Sequence, residues 1–94
     1  MKAMCKLFEV FSDLKNLKTI ITIYELTIHS EAAYASIQQI AQESGFPENT
    51  IISCIEGQLD KYLTEKYEID ETLYRIEGMY LHLVPLLAMF SNIN

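Results

Sequence analysis

The stretch from Ser36 to Cys54 reads SIQQIAQESGFPENTIISC, and its punctuation decides what the rest of the chain can be. Ser36 followed three residues later by Gln39 fits a capping box, in which the hydroxyl accepts the third amide of a helix and the Gln side chain returns to the cap. The spacing predicts a short helix over about Ile37 to Ser44. It stops at Gly45, because glycine tolerates the left-handed backbone that a helix exit often demands, and Pro47 then pre-sets φ for a new start. Ile37, Ile40, Ala41, Phe46, Ile51 and Cys54 fall where two crossed helices need apolar side chains and one small residue, with Gly45 at the corner. The result is a helix-turn-helix. Its second helix carries Ile51, Ile55, Leu59 and Tyr62 on one side and runs to about Tyr62, although Gly57 costs it roughly 1 kcal/mol.

Beyond Tyr62 the hydrophobic period changes from helical to alternating. Tyr67 and Ile69 lie on one run, and Leu73 and Arg75 oppose Tyr74 and Ile76 on the next, with Asp70 and Glu71 at the turn of a β-hairpin. Gly78 ends the hairpin. Met79 to Phe90 resumes as a helix that is apolar on nearly every face, kinked or broken at Pro85. Upstream, Met4, Leu7, Phe8 and Phe11 recur at the spacing that places all four on one side of a first helix. Ser12 or Asp13 caps a second helix, in which Leu14, Leu17, Ile21, Tyr24 and Ile28 form a stripe that Ile20 and Ile23 widen. The expected fold is therefore mainly α with a small β-hairpin, an α+β winged helix-turn-helix occupying residues 1–94 as a single domain.

Ninety-four residues form a domain that buries only about 60 to 65% of its unfolded surface, so additional burial is expected from association. The all-round apolar last helix and the first helix supply it, giving a homodimer through Met4, Leu7, Phe8 and Phe11 together with Leu83, Leu86, Leu87 and Phe90. Hydrophobic residues are 50% of the chain and charged residues 21%, a balance that excludes intrinsic disorder. Glu9 and Asp13 interrupt any apolar leader, and the lipophilic stretch Met79 to Phe90 falls short of the roughly 20 residues that span a bilayer. A cytoplasmic protein with no membrane partner is expected. Cys5 and Cys54 are too few for a disulfide framework and lack metal-ligand spacing, so small buried hydrophobes are the simplest reading of both. Two histidines, His29 and His82, are unaccompanied by a ligand set, and no Ser/His/Asp order, glycine-rich phosphate loop or paired-carboxylate pocket is apparent. Neither catalysis nor a metal or cofactor is expected.

The segments Leu7-Phe8 through Ser12-Asp13, then Leu17 and Ile20, together with Thr72-Leu73-Tyr74-Arg75-Ile76, resemble the ArsR-like winged helix-turn-helix transcription regulators over about Leu7 to Ile76. That resemblance implies a homodimer made through the first and last helices, with the second helix of the helix-turn-helix in the DNA major groove. By position, Asn49, Thr50, Ile52 and Ser53 would face bases, and Lys61, Lys66 and Arg75 would lie toward the phosphate backbone. Members of that family usually have Pro and Arg shortly after the Ser-Asp pair, where this chain has Leu14 and Asn16. They usually carry Arg or His on the recognition helix, where this chain has Ser53 and Cys54.

Charge opposes a nucleic-acid partner. The whole chain carries −6, and between Ser36 and Ile76 three cations, Lys61, Lys66 and Arg75, stand against eight carboxylates, for a net of −5. Affinity for DNA rests largely on Lys and Arg releasing counterions from phosphates, and carboxylates add repulsion over a Debye length of about 8 Å. Two functions from different classes therefore stand side by side. One is a small dimeric DNA-binding transcription regulator; the other is the same scaffold used as an acidic protein-protein interaction module that binds no DNA.

Overall fold

The structure is a computed structural model that describes residues 9–91. Met4, Cys5, Leu7 and Phe8 lie outside the described residues, as does the side chain of Phe90. Helices pack against a small antiparallel sheet of three strands in the order β1-β3-β2, an α+β architecture.

A helical turn at residues 9–12 leads into α1 (Leu14–Thr27), which Asp13 caps by accepting the Lys15 amide at 2.8 Å. The buried side of α1 is centred on Leu17, Ile20 and Ile23, whereas Leu14 is 73% and Ile28 48% exposed, so the expected stripe is rotated. The rotation is possible because Thr19, Thr22 and Thr27 also point inward. Thr22 and Thr27 donate their hydroxyls to the Lys18 and Ile23 carbonyls one turn back, which leaves their methyl groups to pack as hydrophobes. Asn16, 3% exposed, donates to the Val10 carbonyl and to Gln58 Oε1 at 2.9 and 2.8 Å, tying the helical turn, α1 and a later helix through one buried amide.

Strand β1 (Ala35–Ser36) was not expected; it pairs with Tyr74 and Leu73. Its last residue caps α2 (Ile37–Ser44) through both bonds of the capping box, Gln39 N to Ser36 Oγ at 3.1 Å and Ser36 N to Gln39 Oε1 at 2.9 Å. Gly45 ends α2 at φ 84°, with its amide on the Ala41 carbonyl, and Pro47 in extended backbone precedes α3 (Glu48–Cys54). The rod continues to Tyr62 as expected, though it changes pitch: Ile55–Leu59 is a π turn and Asp60–Tyr62 a 3-10 turn. Gly57 lies within the π turn, consistent with a local weakness in the i to i−4 ladder.

Strands β2 (Leu63–Tyr67) and β3 (Thr72–Ile76) form the hairpin, in register from Leu63 opposite Ile76 to Tyr67 opposite Thr72. A 3-10 turn at Gly78–Tyr80 precedes α4 (Leu83–Ser91). Pro85 falls in the first turn of α4, where a missing amide hydrogen breaks no helical bond, so it marks the start of the helix rather than a kink inside it.

The core joins Ile20 and Ile23 of α1, Ile40 of α2, Ile51 and Leu59 of the rod, Ile76 of β3 and Val84 of α4. Phe11, expected at the dimer face, is only 7% exposed and lies against Tyr62 with tilted rings whose centroids are 5.2 Å apart. Tyr62 also meets Tyr80 edge-on at 4.8 Å, an aromatic cluster that helical spacing alone does not reveal. On α4, Leu83 and Leu87 rest partly on the core, while Leu86 is 54% and Met89 65% exposed. Among the described residues no helix is long and apolar enough to cross a membrane.

A Cβ added at Gly45 would meet no atom within 4 Å, so a side chain there is opposed by the backbone alone. Gly45→Ala is expected to destabilise the fold by about 1 to 2 kcal/mol, and Gly57→Ala, where φ is not left-handed, to be neutral or stabilising by up to about 1 kcal/mol. Urea denaturation of the two variants measures both, and equal effects would contradict the left-handed corner.

Candidate functional site

Helix α3 presents the four side chains expected to read bases, but the fold separates them into two groups. Asn49, Thr50 and Ser53 line a depression of about 370 Å³ on the side toward α1, beside Asp13, Lys15 and Gln58. Ile52 lines a separate groove of about 430 Å³ between α3 and the hairpin. At about 100° per residue, Ile52 is offset by about 60° from Asn49 and about 100° from Ser53, enough for it to line the groove while those two line the neighbouring depression.

The floor of the groove is apolar, made of Ile37 at the start of α2, Ile52 and Ile55 along the rod, and Tyr74 of β3. Its rim is acidic. Glu48 and Glu56 lie one turn before and one turn after Ile52, and Glu71 faces them from the hairpin. Burial, followed by the Glu65 and Glu56 carboxylates, pushes the Tyr74 phenol above its ordinary range. On the same face Tyr67 donates its hydroxyl to Glu65 at 2.7 Å, and that bond with the adjacent charge raises its phenol as well. The sequence alternation of residues 72–76 contained the signal for Tyr74 and Thr72 sharing a face. The pairing of Tyr74 with Ala35, which brings α2 beside them, depends on β1 and had no local sign.

The cations expected near phosphates are placed elsewhere. Strand alternation sends Tyr74 and Thr72 toward the groove, and Arg75 and Lys66 to the reverse face of the hairpin. Arg75 Nη1 donates to the carbonyls of Ser30, Glu31 and Ala33, and its guanidinium lies over the Tyr34 ring, 5.6 Å from the centroid. It holds the loop after α1 against β3, a role that its expected place near the phosphate backbone did not include. Lys66 sits over the same ring at 5.5 Å and 3.8 Å from Glu68. Lys61, over Tyr62, is on the order of 18 Å further along the rod than Asn49. The three cations thus form no shared patch with the exposed part of α3, because strand parity and helix length, which composition ignores, decide where each one points.

Cys54 is buried, and burial pushes its thiol up, outweighing the adjacent Thr19 hydroxyl; this is the environment of a packing residue. His29 and His82 are exposed. Among the described residues no group of three or more His, Cys, Asp or Glu side chains is placed to hold a metal ion.

Replacing Arg75 with Gln removes three carbonyl contacts, and about 1 to 2 kcal/mol of stability is the expected loss. The loop amides from Ser30 to Ala33 should exchange faster with solvent. Unchanged stability would return Arg75 to the pool of surface cations. Comparison with protein-family models, with curated proteins and with solved structures finds no match for this chain.

Proposed function

We propose that the chain is a winged-helix scaffold, with α2 and α3 as its helix-turn-helix and β2–β3 as its wing, that docks a protein partner through the groove between α3 and the wing. The observation that carries this reading is the disposition of charge. Glu48, Glu56 and Glu71 rim an apolar groove, while Lys66 and Arg75 are turned to the reverse face. A duplex laid against α3 and the hairpin would bring phosphates onto these carboxylates, with none of Lys61, Lys66 and Arg75 positioned to release counterions. An apolar floor among polar walls is instead the common construction of a peptide-binding site.

A second reading, the DNA-binding regulator of the ArsR-like type, is favoured by one feature. Asn49, Thr50 and Ser53 lie together beside Lys15, a small polar surface able to hydrogen-bond base edges. Either reading accommodates a homodimer, supported by the exposed Leu86 and Met89 on α4 and Met79 just before it.

Fluorescence anisotropy with a labelled duplex at low salt separates the readings. The docking module should show no duplex affinity, and Ser53→Arg should add only weak, non-specific binding. Duplex binding by the unmodified chain that falls steeply as salt rises would install the regulator reading instead. The pairing through α4 has its own measurement in sedimentation equilibrium: the 10.8 kDa chain should sediment as a dimer and Leu86→Glu as a monomer. A concentration-independent monomer would remove the dimer from either reading.

A further inference from the structure

The groove between α3 and β3 is specific about the chemistry of what it can hold. Glu48, Ile52 and Glu56 are spaced four residues apart and all three line it, so they form one row along the rod with the isoleucine in the middle. At about 1.5 Å of rise per residue Glu48 stands about 6 Å before the level of Ile52, and Glu56, in the π turn, lies about one turn after it. Glu71 adds a third carboxylate from the facing wall, and Ile37, Ile55 and Tyr74 complete the apolar surface around Ile52. Its volume of about 430 Å³ admits a few side chains and no folded domain. The floor calls for a single apolar anchor, and the rim calls for positive charge one helical turn before and one after that anchor.

We infer that the occupant of this groove is a short amphipathic segment of a protein partner that carries Lys or Arg on both sides of a Leu- or Phe-class side chain, the anchor resting on Ile52 and the cations meeting Glu48, Glu56 and Glu71. This inference rests on the docking reading above and specifies the partner it leaves open. Charge complementarity selects the occupant. The region from Ser36 to Ile76 carries −5, and none of its three cations lines the groove, so an acidic segment would be repelled at the rim and a neutral one would gain no charge pairing there. The raised Tyr74 phenol, flanked by Glu65 and Glu56, belongs to the same negative environment. A helical segment fits the spacing well, since residues four apart on a helix share one face and match the Glu48-Ile52-Glu56 row turn for turn.

The test uses the full chain, isotopically labelled, and three short synthetic helical peptides. The first has Leu flanked four residues away on each side by Lys; the second has Glu in place of each Lys; the third has Ser in place of Leu. The first peptide is expected to shift amide resonances around Ile37, Ile52, Glu56 and Glu71–Tyr74, with affinity falling as salt rises. The double variant Glu48→Gln with Glu56→Gln, both at exposed positions, should bind it about three- to tenfold more weakly. Equal affinity in that variant, shifts confined to another face, or no binding of the first peptide would each overturn the inference. Should the Glu or Ser peptide occupy the groove as well as the first, the partner chemistry is wrong while docking at this face survives. Groove resonances that move when the protein alone is concentrated would replace the basic segment with a second copy. If the duplex rather than any peptide shifts the α3 amides, the docking reading fails together with the inference.

Discussion

Ser36 is the last residue of β1, paired with Leu73, and in the same position it is the N-cap of α2, so one residue's hydrogen bonds couple the sheet to the helices. Its amide donates to Gln39 Oε1 and its hydroxyl accepts from the Gln39 amide, which leaves a residue only 8% exposed without an unmet polar group. Because strand and helix meet with no intervening loop, α2 cannot rotate relative to β3. Gly45 then turns the chain by a single left-handed residue into α3, and the hairpin returns along the other side. The groove is the space left between two walls that this junction holds at a set separation. Its dimensions follow from local backbone chemistry rather than from any residue that lines it.

Charge is sorted across the sheet in a way that composition cannot express. Arg75 and Lys66 share the reverse face of the hairpin, both within cation–π reach of Tyr34, and Arg75 spends its guanidinium on three backbone carbonyls. The carboxylates at the groove have no such partners opposite them. Three of the eight carboxylates in this region, Glu48, Glu56 and Glu71, meet where α3 faces the hairpin, and none of its three cations does. Screening at physiological salt acts over about 8 Å, so charges placed one helical turn from a central anchor act together on whatever occupies that site.

The interior of α1 shows how polar residues take part in a small core. Thr22 and Thr27 return their hydroxyls to the helix, and Asn16 spans three segments with two bonds from one amide nitrogen. A domain of this size has little apolar surface to bury, and Thr22 and Thr27 extend the core while satisfying their own hydroxyls, whereas the buried Thr19 hydroxyl has no such bond. Leu14 and Ile28 are displaced to the surface as a result. A stripe counted on hydrophobicity alone assigns the threonines outward, since the hydroxyl's route back to the carbonyl one turn earlier is a property of the folded helix.

Local backbone chemistry made much of the architecture legible from the residues alone. The capping box at Ser36 and Gln39, the exit at Gly45, the rod through Tyr62, the hairpin over residues 63–76 and the inward Ile51 and Ile55 are each governed by neighbours within one or two turns, so sequence spacing suffices to place them. Tertiary packing decided the rest. Phe11 lies inward beside the Tyr62 and Tyr80 pair, and β1 exists only because β3 lies alongside. Ile52 lines the groove while Asn49 and Ser53 line another depression, and Arg75 meets the loop after α1, because elements distant in the chain decide what each face of a helix or strand borders. What the chain builds locally was written in its order of residues; which face its charges and the groove beside α3 share depended on long-range contacts, whose partners no nearby residue specifies.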